Sequence, residues 1–297
     1  ILPYAYQGIS RRVTYNYAQK YFVEGNLGFN GSENFPPRKR YGLFPSISAG
    51  WVISEEPFVK ADWLKILTVR ASFGTVGNDQ IGGNRWLYIT DFKNGGTLDM
   101  GTGAFFGKSN AGTSSEPGMN ENQVGNMYVT WEQSTKINTG VDVSLFNNNI
   151  LNFTFDYFHE NRDNILTPPG TINDYFGVET IAPRNSGRVQ NQGIEMEVRY
   201  NQQLSKDFLL FATAQCTYAT NVVLENDQPT PKFDYQDLRN HASGYSLGYK
   251  SIGYFTSYED IANSPKQSFG TVVPGDIKYQ DTNNDGVVDA DDRVPIK

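Results

Sequence analysis

A single cysteine, Cys216, serves the whole chain of 297 residues. No internal disulfide can staple the fold, and the lone thiol says nothing about compartment. Histidine is almost as scarce: His159 and His241 are the only two, and neither has a His or Cys partner at zinc spacing. Long apolar runs are missing too. Only 38% of residues are apolar, mean hydropathy is −0.51, and no stretch approaches the ~18 apolar residues of a membrane-spanning helix. That absence leaves a membrane β-barrel open, because its strands are only half apolar. Excess positive charge is also absent. Lys and Arg number 25 against 32 Asp and Glu, a net charge of −7, which argues against nucleic acid because phosphate binding wants a basic face. The chain starts Ile1-Leu2-Pro3-Tyr4, without Met or a basic-then-apolar leader, and stops at Val294-Pro295-Ile296-Lys297 without a closing strand. The expectation is a piece of something longer, with no signal peptide in this segment.

What the chain does contain is aromatic and turn-rich: 18 Tyr, 19 Phe, 4 Trp and 29 Gly, the composition of an all-β chain with many connections. Its clearest pattern is Ile137–His159. Ile137, Thr139, Val141, Val143 and Leu145 alternate with Asn138, Gly140, Asp142 and Ser144. After Asn147-Asn148-Asn149, Leu151, Phe153, Phe155 and Tyr157 alternate with Asn152, Thr154 and Asp156. Period-2 alternation gives a strand one apolar and one polar face, and Asn tolerates the left-handed angles of a tight turn. The same reading predicts strands at Arg12–Tyr17, Tyr21–Asn30, Ser46–Ile53, Ile66–Gly74, Gly193–Tyr200 and Phe208–Ala219, with a short helical turn starting at Ser54 and a local strand at Trp86–Phe92.

Connections alternate in length. Ala18–Lys20, Ser54–Trp63, the Asn triplet and Gln202–Asp207 are short, whereas 31–43, 75–130, 163–186 and everything from Thr220 onward are long. Short turns at one end and long loops at the other are the habit of an outer-membrane barrel, with periplasmic turns and extracellular loops. A soluble sandwich or small barrel is the competing architecture. It would have to bury Glu195, Glu197 and Arg199, which occupy consecutive positions on the polar face and would lack partners in an apolar core. The expectation is therefore an all-β fold: about eight antiparallel strands of a larger transmembrane barrel.

Asp281-Thr282-Asn283-Asn284-Asp285-Gly286-Val287-Val288-Asp289-Ala290-Asp291-Asp292 is the sharpest local motif. It matches a twelve-residue calcium loop: oxygen ligands from Asp281, Asn283, Asp285 and Asp289, the carbonyl of Val287, Gly286 for the turn, and a carboxylate at Asp292. Asp replaces the usual Glu at the last position, and Asp276–Tyr279 before the loop reads as extended. A lone structural clip is expected rather than a paired helix-loop-helix sensor. Gly244-Tyr245-Ser246-Leu247-Gly248 has the G-x-S-x-G spacing of a nucleophile elbow, but both histidines precede Ser246 and the flanks read as extended, so no catalysis is expected. Arg38-Lys39-Arg40 is either a solvated loop tip or a grip for lipid phosphate. Trp86, Tyr88, Phe92, Phe105 and Phe106 could stack on a ligand, but a small loop core is the favoured reading. Cys216 shares parity with Leu210, Ala212, Ala214 and Tyr218, an outward, lipid-facing set.

Four blocks carry a family resemblance. Phe44–Glu56 (FPSISAGWVISEE), Leu67–Asn78 (LTVRASFGTVGN), Trp131-Glu132 leading into Ile137–Phe146, and Gly275–Arg293 (GDIKYQDTNNDGVVDADDR) resemble SusC/RagA-type TonB-linked outer-membrane proteins, in that family's order. The resemblance implies residues 1–297 as part of a plugged barrel of about 22 strands, with 220–297 as a long extracellular loop and with the plug and TonB box outside this segment. It implies an importer of glycans or peptides in the cell outer membrane, working with a SusD-like lipoprotein and with TonB, ExbB and ExbD, and not an enzyme. The alternative class is an extracellular, calcium-clipped β protein that binds glycans as an adhesin.

Overall fold

The computed structural model describes residues 4–59, 61–80, 85–94, 103–105, 115–117, 119–146, 150–170 and 181–297. Eight long strands form one antiparallel sheet in strict chain order: β1 Tyr6–Tyr17, β2 Tyr21–Ser32, β3 Tyr41–Val52, β4 Leu64–Asn78, β5 Glu132–Leu145, β6 Leu151–Thr167, β7 Arg184–Ser205 and β8 Phe208–Glu225. The sheet is open, with β1 and β8 at its edges. The hairpin predicted around the Asn triplet is present, with Leu145 opposite Leu151 and Val143 opposite Phe153. The triplet itself lies outside the described residues, as does Phe106. At the first turn Ala18 and Gln19 take φ of 52° and 56°, and the Lys20 amide closes the turn on the Tyr17 carbonyl at 3.0 Å.

Most strands run further than their alternation indicates, mainly toward the long loops. β1 begins at Tyr6 instead of Arg12, β3 at Tyr41 instead of Ser46, β7 at Arg184 instead of Gly193, and β8 continues to Glu225 instead of Ala219. The final excursion therefore starts at residue 226 rather than 220. Above the lipid band both faces of a strand are wet, so the ladders of β7 and β8 continue without a period-2 signal. The strand expected at Trp86–Phe92 is corrected as well. Residues 87–89 form a turn, closed by the Ile89 amide on the Trp86 carbonyl at 2.8 Å, and the local strand is Asp91–Asn94. The helical turn after Val52 is a 3-10 turn, Ile53–Glu55.

The burial pattern is inverted relative to a water-soluble core. On the outward rows Val13 is 72% exposed, Tyr15 63%, Ile47 56%, Phe73 49% and Ile137 42%, whereas inward Ser134, Ser144 and Asp156 are buried. Val141, Val143, Phe153 and Phe155 are all partly exposed and none joins the buried core. Their outward face meets lipid. Aromatics gather at both margins of this face. At the short-turn end Tyr17, Tyr21 and Trp51 stack with 6.3 Å between successive ring centroids, and Glu56 accepts from Tyr21 Oη at 2.5 Å and Trp51 Nε1 at 3.1 Å. At the loop end Phe29 and Tyr41 stack at 5.3 Å. From Tyr41 to Trp51 the strand climbs ten residues, roughly 25 Å of height at the usual tilt, which matches an apolar band between interfacial girdles.

The one buried apolar cluster among the described residues sits at the loop end: Phe35, Phe44, Leu87, Val129, Trp131 and Ala182, flanked by Tyr88 and Leu166. Phe44 stands on β3 and the other members come from three long connections, which hydrogen bonds tie to one another and to the strand ends. Ala182 N donates to Val124 O at 3.0 Å, and Asn185 Nδ2 donates to Thr130 O at 2.9 Å and Asn164 O at 2.7 Å. Close approach explains the glycines here. A Cβ on Gly77 or Gly42 would come within 2.0 Å and 2.4 Å of Phe44 Cζ.

The last excursion is a separate construction of short pairs. Ser246–Gly248 pairs with Val294–Ile296, Ser251–Tyr254 with Ile277–Tyr279, and Lys266–Gln267 runs parallel to Val287–Val288. The helix α1, Tyr258–Ala262, starts on Ser257, whose side chain accepts from Asp260 N. Asp260 accepts from Lys278 Nζ at 2.8 Å and from Thr256 N at 3.0 Å. The Lys278 ammonium foremost, then the Thr256 amide, hold this carboxyl down at about 2. A folded pKa below the ordinary carboxylate value means stability that is complete above about pH 4 and lost as pH falls through about 2. Pepsin cleavage within residues 251–279 of the full-length protein is expected to accelerate as pH drops from 4 to 2, and Asp260→Asn to be cleaved quickly at both.

Candidate functional site

Two surfaces can act on another molecule: the inner wall of the sheet and the final excursion. The inner wall is built by the second parity of each strand. Register brings Gly50, Arg70, Gly140, Asp156, Glu195 and Thr217 onto one level. Because Gly140 has no side chain, Arg70 on β4 reaches across β5 to Asp156 on β6, at 2.7 Å, and also holds Asp142 at 2.9 Å. A Cβ on Gly140 would stand 2.5 Å from Asp156 Oδ1 and 2.8 Å from Arg70 Cζ. Further inward pairs are Arg12–Glu24 at 2.5 Å, Arg162–Glu160 at 3.1 Å and Arg199–Glu197 at 2.5 Å. On one side of the Arg70 bridge lies a groove of about 600 Å³ lined by Arg12, Glu24, Ser48, Thr68, Ser72 and Asn138. On the other lies one of about 310 Å³ lined by Thr154, Glu195, Glu197, Gln215 and Thr217.

Such a wall of paired charges and hydroxyls is wettable and offers many hydrogen-bond partners to whatever occupies the lumen. Arg70 is its keystone. Arg70→Ala leaves two carboxylates facing each other, and unfolding of the full-length barrel in guanidinium is expected to show a loss of about 1–2 kcal/mol after solvent screening. Adding Asp156→Asn to that variant should recover part of it. Alternation alone turns Arg70, Asp142 and Asp156 inward but does not bring them together. The only local sign is a glycine in a polar row.

In the final excursion the predicted ligand residues do occupy one loop, held by its own backbone. Asp281 accepts from Gly286 N at 2.8 Å, Asn283 Oδ1 from Asp285 N at 3.0 Å, and Asp285 Oδ1 from Val287 N at 2.9 Å. That Val287 amide, followed by the Asn283 side chain, lowers the Asp285 pKa. Asn284 and Gly286 take φ of 60° and 89°. Asp289 Oδ1 accepts from Asp291 N at 2.8 Å. Asp292 is fully buried and accepts from Thr282 N at 2.6 Å, Asn283 N at 3.2 Å and Asp289 N at 2.8 Å. Among the described residues no three His, Cys, Asp or Glu side chains converge as a metal-holding group. Ile277–Tyr279 before the loop is a strand, as its sequence indicates. Ser246 opens a short strand instead of an elbow, and His159 lies inside β6, its Nε2 3.2 Å from Gln190 Nε2.

An outward apolar band between aromatic girdles, a charged inner wall and long loops at one end define a membrane barrel wall. A family model described as TonB dependent receptor-like, beta-barrel, matches residues 10–294. The chain belongs to that family. Receptor barrels of this kind lie in the outer membrane, and so does this one. The chain is 29% identical over 265 residues to TonB-dependent receptor P39 of Formosa agariphila, covering 88% of this chain and 24% of the relative. It is 23% identical over 294 residues to TonB-dependent receptor SusC of Bacteroides thetaiotaomicron, covering 96% and 28%. The structure of the RagAB peptide importer in its closed-closed state superposes with a TM-score of 0.71 at 18% identity, over 99% of this chain and 30% of that one. This receptor segment thus spans about a quarter of the curated relatives' length. These relatives are receptors and importers by name rather than enzymes.

Proposed function

We propose that the chain forms part of the wall of an active outer-membrane importer for glycans or peptides. The carrying observation is an eight-stranded sheet with exposed apolar rows outward, and with buried Ser134, Ser144 and Asp156 and the Arg70–Asp142–Asp156 bridge inward. Likeness to SusC and to the RagAB peptide importer supports uptake, with a SusD-like surface lipoprotein as partner and TonB, ExbB and ExbD as the energy source. The experiment is growth of a strain lacking the full-length protein on fractionated glycans or peptides as limiting nutrient, with and without TonB. A growth defect matched by loss of TonB, and a lipoprotein recovered with the tagged receptor, are the expected results. Normal growth on every fraction would overturn the reading. The adhesin alternative needs apolar rows covered by a second sheet, and the exposure of Val13, Ile47 and Phe73 speaks against it.

Calcium in the Asp281–Asp292 loop belongs to the same proposal. The donors are hard oxygens, and the loop already has the turn at Gly286 that wrapping around a cation requires. Asp281, Asn283 and Asp285, with the Val287 carbonyl, would supply most of the ligation, with Asp289 and Asp292 completing it, and the ion would stiffen an extracellular loop. Titration calorimetry on the full-length protein is expected to show calcium binding that Asp285→Ala weakens at least tenfold. Heat identical with and without that substitution would end the idea.

A further inference from the structure

The outward row of β1 reads Ile9, Arg11, Val13, Tyr15, Tyr17, and Arg11 is its one charge. Its cross-strand neighbour is Leu27, and beyond that Pro45. Arg11 has no ion pair or hydrogen bond among the described residues. A lipid-facing Arg is tolerated only where it can reach an interface. One outward rung higher, Ile9 faces Phe29, and Phe29 stacks on Tyr41. Arg11 therefore sits about 5 Å of height below the extracellular girdle, within the reach of its own stem, so the guanidinium can snorkel to the headgroup level.

The connection above these strands carries a second group of free cations. Arg38 and Lys39 are exposed and have no partner among the described residues, and the Nε of Arg40 beside them is buried without an acceptor. The loop that presents them is closed by hydrogen bonds. Lys39 N donates to Pro36 O at 2.8 Å, Ser32 N to Arg40 O at 3.1 Å, and Trp131 Nε1 to Arg40 O at 3.0 Å, over a fully buried Phe35. Several other cations of the loop end are paired: Arg85 with Glu33, Arg184 with Asp227, Arg239 with Asp237 and Lys278 with Asp260. In a chain of net charge −7, Arg11, Arg38 and Lys39 are cations without an ion pair among the described residues, Arg11 on the first hairpin and the other two on the connection that follows it.

We propose that Arg11, Arg38 and Lys39 bind the phosphate groups of the phosphorylated glycolipid that forms the outer leaflet. Arg11 approaches from the hydrocarbon side and Arg38 and Lys39 from the aqueous side, and the Phe29–Tyr41 pair lies at the depth of the sugar–acyl boundary. The site anchors the loop that Trp131 braces.

The test uses the full-length receptor in nanodiscs of phosphatidylethanolamine, titrated with lipopolysaccharide or with its dephosphorylated form. The triple variant Arg11→Gln, Arg38→Gln, Lys39→Gln is expected to bind lipopolysaccharide about 100-fold more weakly, and Arg38→Gln or Lys39→Gln alone about fivefold. Lys206→Gln, an equal charge change at the opposite end of the sheet, should bind like the unaltered protein. The two single loop variants lie on an exposed tip, so they report even where the triple variant folds poorly. Inorganic phosphate at millimolar concentration should not compete. Equal affinity for the dephosphorylated form, unchanged binding by both loop variants, or displacement by free phosphate would each overturn the proposal.

Discussion

Replacing Trp131 by Ala is expected to loosen the whole loop end while leaving the lipid-embedded band intact. Trp131 is 3% exposed, its ring meets Phe35 at 5.1 Å and Phe44 edge-on at 5.3 Å, and its Nε1 donates to Arg40 O at 3.0 Å. Truncating a buried Trp costs about 3–5 kcal/mol when the site cannot collapse. Here collapse is hindered, because Phe44 already lies against Gly42 and Gly77. Limited proteolysis of the full-length protein should show faster cutting in the connections 33–40, 79–131 and 168–183 together, since all three contribute to the cluster. Trp131→Phe keeps most of the packing and loses the indole hydrogen bond, so an effect of about 1 kcal/mol is expected. Cutting confined to one connection in Trp131→Ala would show that the cluster is not a shared brace.

Asp292→Ala is the second large effect, at the other end of the chain. The fully buried carboxylate accepts three backbone amides, from Thr282, Asn283 and Asp289, and closes a capping box around the 3-10 turn Ala290–Asp292. Alanine leaves unpaired those amides, which have no other acceptor among the described residues, a cost of about 2–4 kcal/mol to the local fold. Hydrogen exchange at residues 277–296 should rise by two orders of magnitude or more, with β1–β8 unchanged. Asp292→Asn keeps one carbonyl acceptor and should fall between. The pairing of Lys266–Gln267 with Val287–Val288 makes the exchange spread to residues 264–268. Because this order comes from amide contacts within the loop, the effect is expected without added calcium. A loss seen only when calcium is present would mean that Asp292 acts as a ligand alone.

The strands themselves were legible because strand side chains alternate with a period fixed by the backbone, and burial on one face writes that period into the sequence. Val141, Val143, Phe153 and Phe155 needed no distant contact to be placed on a common face. The short turns were legible for the same local reason. Strand ends were not: at Arg184–Gln192 and Thr220–Glu225 the ladder continues where water wets both faces, so composition no longer reports parity. Trp131, Phe35 and Leu87 read as isolated aromatic or apolar residues within polar connections, with no periodicity to announce a cluster.

By itself the sequence determined an all-β membrane wall, which residues look toward lipid and which toward the lumen, and at which end the long loops lie. Only the tertiary structure decided who meets whom across the sheet. Arg70 joins Asp142 and Asp156 over sequence separations of 72 and 86 residues, and that register depends on how the long connection after β4 returns. Alternation fixes a side chain's face through local geometry, whereas a cross-strand neighbour is fixed by the path of the chain between them, which no local pattern encodes.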